Sequence, residues 1–255
     1  MVVLAALAAC SGQCDDGGPC RVSGGYYLAQ GPDDWNGRTE LPMLLYFHGY
    51  NNTAEGKIDS AAVRDFREAG WLTVLPQGKN DTWAHTGSPS QARDELPFIQ
   101  AVLDDAHERW PVTQVAVAGF SQGSSMAFDV GCYLPGEVDA LFGASGTFWR
   151  PEPARCDGPL PVRYTHGRDD GVMPLNGRPI GAYHQGSVAD SFVALRATNG
   201  CPDDPDEVVE VGPETCELWS TCDSGQPLMW CMYDGGHRLP TGWAGRMLDW
   251  FATVR

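Results

Sequence analysis

The most constraining feature of this chain is a short apolar run at residues 115–118 that leads directly into Gly119-Phe120-Ser121-Gln122-Gly123. Valine and alanine alternate in the run, which is typical of a buried strand. No helix breaker follows until Gly131, so a helix is expected after the turn. A strand that turns at once into a helix strains its middle residue, and glycines two positions away on either side avoid collisions.

This glycine–serine pattern also has a chemical interpretation. The strained turn would lift the Ser121 hydroxyl above the sheet edge, at the N-terminus of the next helix. Free N–H groups and the helix dipole favour developing negative charge there. The alternative is an ordinary strand-to-helix turn with a capping serine.

Length and composition indicate a single α/β domain. The chain has 255 residues, 42% hydrophobic and 20% charged, as in globular proteins. Its formal net charge of -16 argues against nucleic acid, anionic lipid surfaces and polyanionic substrates as partners. The alternative interpretation of this charge is only that the protein is soluble and acidic.

The N-terminus resembles an export signal. Residues 1–9 are an apolar run too short to span a membrane, and small residues precede Cys10. Leu7-Ala8-Ala9-Cys10 also resembles a bacterial lipobox, in which the cysteine is lipidated. A charged segment before the run is missing, which indicates a misplaced start or a truncated chain. We expect a signal-like tether over 1–20, one catalytic domain over 21–255, and a secreted or cell-envelope location.

The cysteine count favours disulfides. If one of the nine cysteines, Cys10, carries lipid, an even set of eight remains. Residues 11–20 are polar and glycine-rich, and we expect Cys14–Cys20 to close a loop there. Scattered buried thiols are the alternative. A zinc site is disfavoured because no two C-x-x-C pairs occur, and no metal is expected.

Strand and helix patterns alternate along the chain. We expect strands within residues 21–30, 41–47, 71–75, 115–118, 138–144, 162–166, 208–211, 217–219 and 228–233. Helices are expected over 54–69, from 93 to about 110, after Ser121, around 188–199 and around 243–251. This alternation predicts a mostly parallel, doubly wound sheet with helices on both faces. Functional residues of such sheets gather at the carboxyl ends of the strands.

Three residues meet the requirements of a serine nucleophile, which needs a base and an acid that orients the base. Ser121, Asp170 and His237 occur in the order serine, acid, histidine, and the last two follow strands and glycine turns. Asp169 remains an alternative to Asp170, although Asp170 is favoured.

Five other histidines are less suited to act as the base. His48 and His166 lie at strand ends before glycines, which is typical of histidines that bond loop backbone. His85 and His184 lie in loops without a strand end, and His107 is expected on a helix surface.

The remaining predicted site residues surround the serine. The backbone N–H of Gln122 and that of Tyr50 are expected to form the oxyanion hole, because Gly49 lets the Tyr50 backbone approach a substrate. Trp83 and Tyr50 are candidates for an aromatic substrate wall, and core packing is an equal alternative for Trp83. Neither a metal nor an organic cofactor is needed.

From about residue 41 onwards, the motifs resemble those of secreted polyhydroxybutyrate-depolymerase-like esterases, which include bacterial feruloyl and acetylxylan esterases. The resemblance rests on His48-Gly49, Gly70-Trp71, Pro76-Gln77-Gly78, the 119–123 turn, His166-Gly167-Arg168-Asp169-Asp170-Gly171-Val172-Met173-Pro174 and Gly235-Gly236-His237-Arg238-Leu239-Pro240. It implies an α/β-hydrolase fold, and the family pattern H-G-x-x-D-x-x-x-P places its aspartate at Asp170.

The resemblance also implies disulfides Cys132–Cys156 and Cys201–Cys222. Cys216 and Cys231 then remain, on strands that flank a turn, and we predict that they face each other across a hairpin. The Phe-Ser-Gln-Gly turn departs from the family's Ser-Asn-Gly and is similar to that of intracellular carboxylesterases and acyl-protein thioesterases.

The predicted function is an exported, monomeric serine esterase that acts through an acyl-enzyme. Its expected substrates are small or polymeric esters: feruloyl, acetylxylan or short polyhydroxyalkanoate esters. The alternatives are a polyester hydrolase, a carboxylesterase or thioesterase-like enzyme, and a non-catalytic, lipid-anchored binding protein on the same scaffold.

Overall fold

A computed structural model of the chain describes Cys14 and residues 18–254. The expected lipidation site, Cys10, lies outside the described residues, as does most of the proposed signal segment. No helix within the described part of the chain has the length and apolar character needed to cross a bilayer.

One ten-stranded sheet organises the fold, and its strands are β1 (Cys20–Val22), β2 (Gly25–Gln30), β3 (Leu41–Phe47), β4 (Leu72–Pro76), β5 (Val112–Phe120), β6 (Ala140–Ala144), β7 (Val162–Gly167), β10 (Glu207–Val211), β11 (Glu214–Trp219) and β12 (Leu228–Tyr233). They lie side by side in the order β1-β2-β4-β3-β5-β6-β7-β12-β11-β10. The six central strands, from β4 to β12, are parallel, and two antiparallel strands extend each edge.

Helices cover both faces of the sheet, so most side chains of the central strands are apolar and buried. The five helices of the described residues are α1 (Ala61–Glu68), α2 (Glu95–Arg109), α3 (Gln122–Tyr133), α4 (Val188–Asn199) and α5 (Trp243–Phe251). Buried side chains of α1 and α5 belong to one hydrophobic cluster, and those of α2, α3 and α4 belong to another. The predicted fold class, a mostly parallel, doubly wound α/β-hydrolase sheet, is therefore confirmed.

Two local predictions need correction, and the structure contains one hairpin that was not predicted. Helix α1 begins at Ala61 rather than at residue 54, because the Ala54 carbonyl accepts the N–H groups of Lys57 and Ile58 in a separate turn. The expected strand over 21–30 is a hairpin of β1 and β2, since Gly24 turns the chain with φ 90°. A small hairpin of β8 (Arg178–Ile180) and β9 (Tyr183–Gln185) was not expected.

Four disulfides join the cysteine pairs that were expected: Cys14–Cys20, Cys132–Cys156, Cys201–Cys222 and Cys216–Cys231. Cys216 and Cys231 are directly opposite each other in the register of β11 and β12. Disulfides of this number are typical of proteins that fold in an oxidising compartment, which supports an extracellular protein.

Candidate active site

Ser121 lies at the tight turn between β5 and α3. Its backbone adopts φ 59° and ψ −128°, a strained conformation for a residue other than glycine. A Cβ on Gly119 would collide with the carbonyl of Gly123, and a Cβ on Gly123 would collide with the carbonyl of Phe47. The two glycines therefore let the turn form against β3, as the sequence pattern predicts.

The structure brings Ser121, His237 and Asp170 together at the carboxyl ends of β5, β12 and β7. The Nε2 atom of His237 lies 2.9 Å from the Ser121 hydroxyl oxygen, and its Nδ1 lies 2.7 Å from Oδ2 of Asp170. Asp169 is exposed and Asp170 is buried. The imidazole thus bridges the hydroxyl and one buried carboxylate.

Asp170 is held as a carboxylate by several donors. Its Oδ1 accepts the backbone N–H groups of Val172 at 2.9 Å and Met173 at 2.8 Å. Burial raises the pKa of this carboxyl, but the bond to His237 and the two N–H donors outweigh burial and lower it below its usual value. A charged acid beside the imidazole follows from this arrangement.

The loop that carries His237 packs closely on the end of β7. A Cβ on Gly167 would collide with the carbonyl of Gly235, and a Cβ on Gly235 would collide with the ring of Tyr233. The hydroxyl of Tyr233 donates to the carbonyl of Gly236 at 2.8 Å. The Phe120 ring lies 4.7 Å from the imidazole, centroid to centroid, so the loop and the turn residue together position the histidine.

His48 and His166 bond loop backbone, as their sequence context suggests. Nε2 of His48 accepts the N–H of Gly78 at 3.0 Å, and its Nδ1 is 2.9 Å from the carbonyl of Gly49. Nε2 of His166 lies 2.8 Å from the carbonyl of Met173. Burial lowers the pKa of both imidazoles.

The two predicted oxyanion donors come from segments that adjoin Ser121. Gln122 is the first residue of α3, where backbone N–H groups have no intrahelical partner. A Cβ on Gly49 would lie 3.5 Å from Cβ of Ser121, so the turn that continues into Tyr50 runs directly beside the serine. The Tyr50 side chain is 72% exposed and free to contact a ligand.

The side chain of Gln122 has a role that the sequence did not reveal. Its Oε1 accepts the hydroxyl of Thr82 at 2.9 Å, and its Nε2 donates to the carbonyl of Trp83 at 3.3 Å. Gln122 therefore ties the loop after β4 to the turn that holds Ser121. Thr82 and Gln122 are 40 positions apart in the sequence, so no local pattern predicts their contact.

The prediction of Trp83 as a substrate wall is wrong in this structure. Trp83 is 0% exposed, and its indole Nε1 donates to the carbonyl of His48 at 2.7 Å. Its ring packs against those of Phe47 and His48. The alternative, core packing, is what the structure shows: the buried indole packs against the end of β3 and bonds the loop that follows it.

One cluster of potential metal ligands occurs among the described residues: Glu214, Cys216 and Cys231. The two cysteines are joined in a disulfide, and Glu214 accepts hydrogen bonds from Arg163 at 2.7 Å and Arg246 at 2.9 Å. Because all of its ligand atoms are already engaged, this cluster is a structural ion network rather than a metal site.

Comparison with known proteins places the chain among esterases, although no family model matches it. It is 26% identical over 231 residues to a probable feruloyl esterase C of Aspergillus clavatus, covering 86% of this chain and 78% of that protein. It is 27% identical over 234 residues to feruloyl esterase D of Neurospora crassa, covering 83% of this chain and 73% of that protein.

Solved structures support the same fold. An acetyl xylan esterase from Aspergillus awamori aligns with a TM-score of 0.66 at 12% identity, covering 89% of this chain and 93% of that one. The carboxylesterase of Bacillus cereus aligns with a TM-score of 0.60 at 12% identity, covering 90% and 94%. The predicted resemblance to α/β-hydrolase esterases is confirmed, and the relatives support a carboxylic ester hydrolase.

Proposed function

We propose that this α/β-hydrolase is an exported serine esterase, which cleaves carboxylic esters through an acyl-enzyme formed on Ser121. The observation that carries the proposal is the continuous hydrogen-bonded series from the Ser121 hydroxyl through His237 to Asp170, with distances of 2.9 and 2.7 Å. Such a series supplies a nucleophile, a base and a group that orients the base.

In the first half-reaction, Nε2 of His237 takes the proton of the Ser121 hydroxyl as its oxygen attacks the ester carbonyl carbon. Asp170 stabilises the resulting imidazolium and fixes the tautomer that leaves Nε2 free. The imidazolium then gives its proton to the alkoxy oxygen. The C–O bond breaks, and the alcohol leaves while the acyl group remains on Ser121.

Water completes the cycle in the second half-reaction. His237 takes a proton from water, whose oxygen attacks the acyl carbon, and returns a proton to the Ser121 oxygen as the acid leaves. The negative charge on the carbonyl oxygen in both steps would be stabilised by the backbone N–H groups of Gln122 and Tyr50. No other group is required to balance either step.

Feruloyl and acetylated xylan esters are the proposed natural substrates. Two relatives bear the name feruloyl esterase, and a structural neighbour is an acetyl xylan esterase. Short polyhydroxyalkanoate esters remain candidates from the resemblance of the motifs. A panel of methyl ferulate, acetylated xylan and a short-chain polyester would rank these three classes by kcat/KM.

Replacing the nucleophile tests the proposal. Ser121→Ala is expected to lower kcat for p-nitrophenyl acetate by about 10⁴-fold or more and to abolish labelling by a fluorophosphonate probe. Ser125→Ala is the matched control, because the buried Ser125 hydroxyl lies on the helix that follows Ser121 and bonds no described residue. Retained hydrolysis and labelling in Ser121→Ala would refute the proposal.

A further inference from the structure

We infer that a groove beside His237 is a subsite for a carboxylate carried by the alcohol component of the ester, which rests on the proposed esterase function. The groove has a volume of about 600 Å³ and lies between the start of α1 and residues 237–244. His237 and Phe120 are among the residues that line it, so a group bound there adjoins the candidate catalytic histidine.

The groove is positively charged in a chain whose formal net charge is -16. Its lining includes Lys57, Arg64 and Arg238, and Asp65 is the one acidic residue among the described residues that line it. Arg64 lies 3.6 Å from Asp65 and 3.3 Å from Glu68, so its charge is largely compensated. Lys57 and Arg238 form no ion pair with any residue that the structure describes, so no carboxylate among these residues neutralises their charges.

Two helices begin at the groove, and neither has a side-chain cap. Ala61 and Ala62 of α1 line it, as do Trp243 and Ala244 of α5. Neither helix has an acidic residue in its first turn or a side-chain hydrogen bond at its N-cap. The partial positive charge of both N-termini is therefore uncompensated, and free N–H groups at such positions bind carboxylates.

A buried donor beside the groove lacks a hydrogen-bond partner. Trp243 lines the groove and is only 2% exposed, yet its indole Nε1 has no hydrogen-bond partner among the described residues. The buried hydroxyl oxygen of Ser60, the N-cap residue of α1, also has none. Indole nitrogen is a donor only, so an acceptor such as a carboxylate is the complementary group.

The position of His237 assigns the carboxylate to the alcohol component. In the proposed mechanism the imidazolium gives its proton to the alkoxy oxygen, so the alcohol leaves on the histidine side. The groove begins at that side, and Phe120, Leu239 and Pro240 add apolar surface to it. An alcohol component that carries a carboxylate and packs its carbon skeleton on this apolar surface would therefore fill it.

A matched pair of acetate esters tests this subsite. 3-Acetoxybenzoate and 3-acetoxybenzamide release the same acyl group, and only the first has an anionic alcohol component. We expect kcat/KM to favour the charged ester, and Lys57→Met to lower the ratio about threefold to fivefold. Lys79→Met is the control, since Lys79 is the only other lysine, is exposed and lies outside the groove lining. It should leave the ratio unchanged.

A binding measurement separates failure of the subsite from failure of the esterase function. Calorimetric binding of 3-hydroxybenzoate to Ser121→Ala is expected to weaken about threefold to fivefold when Lys57→Met is added. Hydrolysis that depends on Ser121 but has no preference for the charged ester would overturn the subsite alone. A stronger preference for monoethyl succinate, whose carboxylate is on the acyl side, would also overturn the assignment.

Discussion

Two buried aspartates near Ser121 have opposite electrostatic environments. Asp129 on α3 is 3% exposed and Asp170 after β7 is 5% exposed, so the exposed fractions of the two residues are similar. Asp170 accepts two backbone N–H groups and the imidazole of His237. Asp129 accepts the N–H of Thr86 at 2.7 Å on Oδ2, and its Oδ1 has no partner among the described residues.

The pKa values of the two carboxyls diverge accordingly. Burial raises the pKa of Asp129 to about 6, because the opposing bonds from Thr86 are too few. Burial also raises the pKa of Asp170, but its bonds from His237, Met173 and Val172 reverse the effect and lower the pKa. The comparison teaches that a small exposed fraction does not by itself fix the pKa of a buried aspartate, because the donors to the carboxyl also decide whether it is suited to stabilise an imidazolium.

The largest predicted effect comes from replacing Asp170, the aspartate whose carboxylate accepts more hydrogen bonds. Asp170→Asn should lower kcat/KM for p-nitrophenyl acetate by about 10⁴-fold, because an amide can neither stabilise the imidazolium nor fix its tautomer. Steady-state kinetics at pH 7.5 would measure the change, with circular dichroism as the check that the fold is retained.

Asp169→Asn is the matched control for this substitution. Asp169 is the exposed neighbour, and it contributes its backbone N–H to the carbonyl of Gly235 at 3.0 Å, a bond that the substitution keeps. Its activity should remain within about twofold of the wild type, as for surface substitutions in general. A greater loss in Asp169→Asn than in Asp170→Asn would reverse the roles assigned to the two carboxylates.

The sequence was sufficient to predict the convergence of Ser121, Asp170 and His237. Each follows a strand of the parallel set, and the carboxyl ends of β5, β7 and β12 meet at one sheet edge. Glycines beside each residue indicated tight turns, which the structure contains. Short apolar runs in the sequence located the central strands, because strands covered on both faces are largely apolar.

What the sequence could not predict depends on contacts between distant segments. An aromatic residue in a loop, such as Trp83, can face a ligand or the core, and the bond to the His48 carbonyl decides this only in the folded chain. The partner of Asp129, Thr86, is 43 positions away. The basic groove likewise exists only because α1 and α5 begin side by side.

The next largest effect concerns stability rather than activity. Asp129→Asn should raise the free energy of unfolding by about 2–3 kcal/mol at pH 8, because the charged carboxylate is costly in its poorly solvated position. Near pH 4 the carboxyl is largely protonated in the folded state and substantially protonated in the unfolded state, so the variant and the wild type should be almost equally stable, and at pH 5 the difference should be about half of that at pH 8. Urea denaturation at each pH would measure the difference.

The sign follows from proton uptake. Asp129 has a folded-state pKa of about 6 and an ordinary unfolded-state value near 4, so the folded protein holds an extra proton between these values. Stability contributed by this group therefore falls as pH rises through that window. An Asp129→Asn variant that is less stable than the wild type at pH 8, or that is stabilised as much at pH 5 as at pH 8, would contradict the contrast with Asp170.

The smallest predicted effect concerns the second histidine beside Asp170. His166 lies 3.6 Å from this carboxylate, but its Nε2 faces the carbonyl of Met173 and its Nδ1 lies 2.6 Å from the hydroxyl of Tyr164. Neither ring nitrogen is free for proton transfer, and burial lowers the imidazole pKa, so His166 is neutral at pH 7.

His166→Phe should therefore cost about 1–3 kcal/mol of stability in urea denaturation through lost buried hydrogen bonds, with less than a tenfold loss of kcat/KM. A loss as large as that of Asp170→Asn, in a folded variant, would mean that both imidazoles serve the same carboxylate.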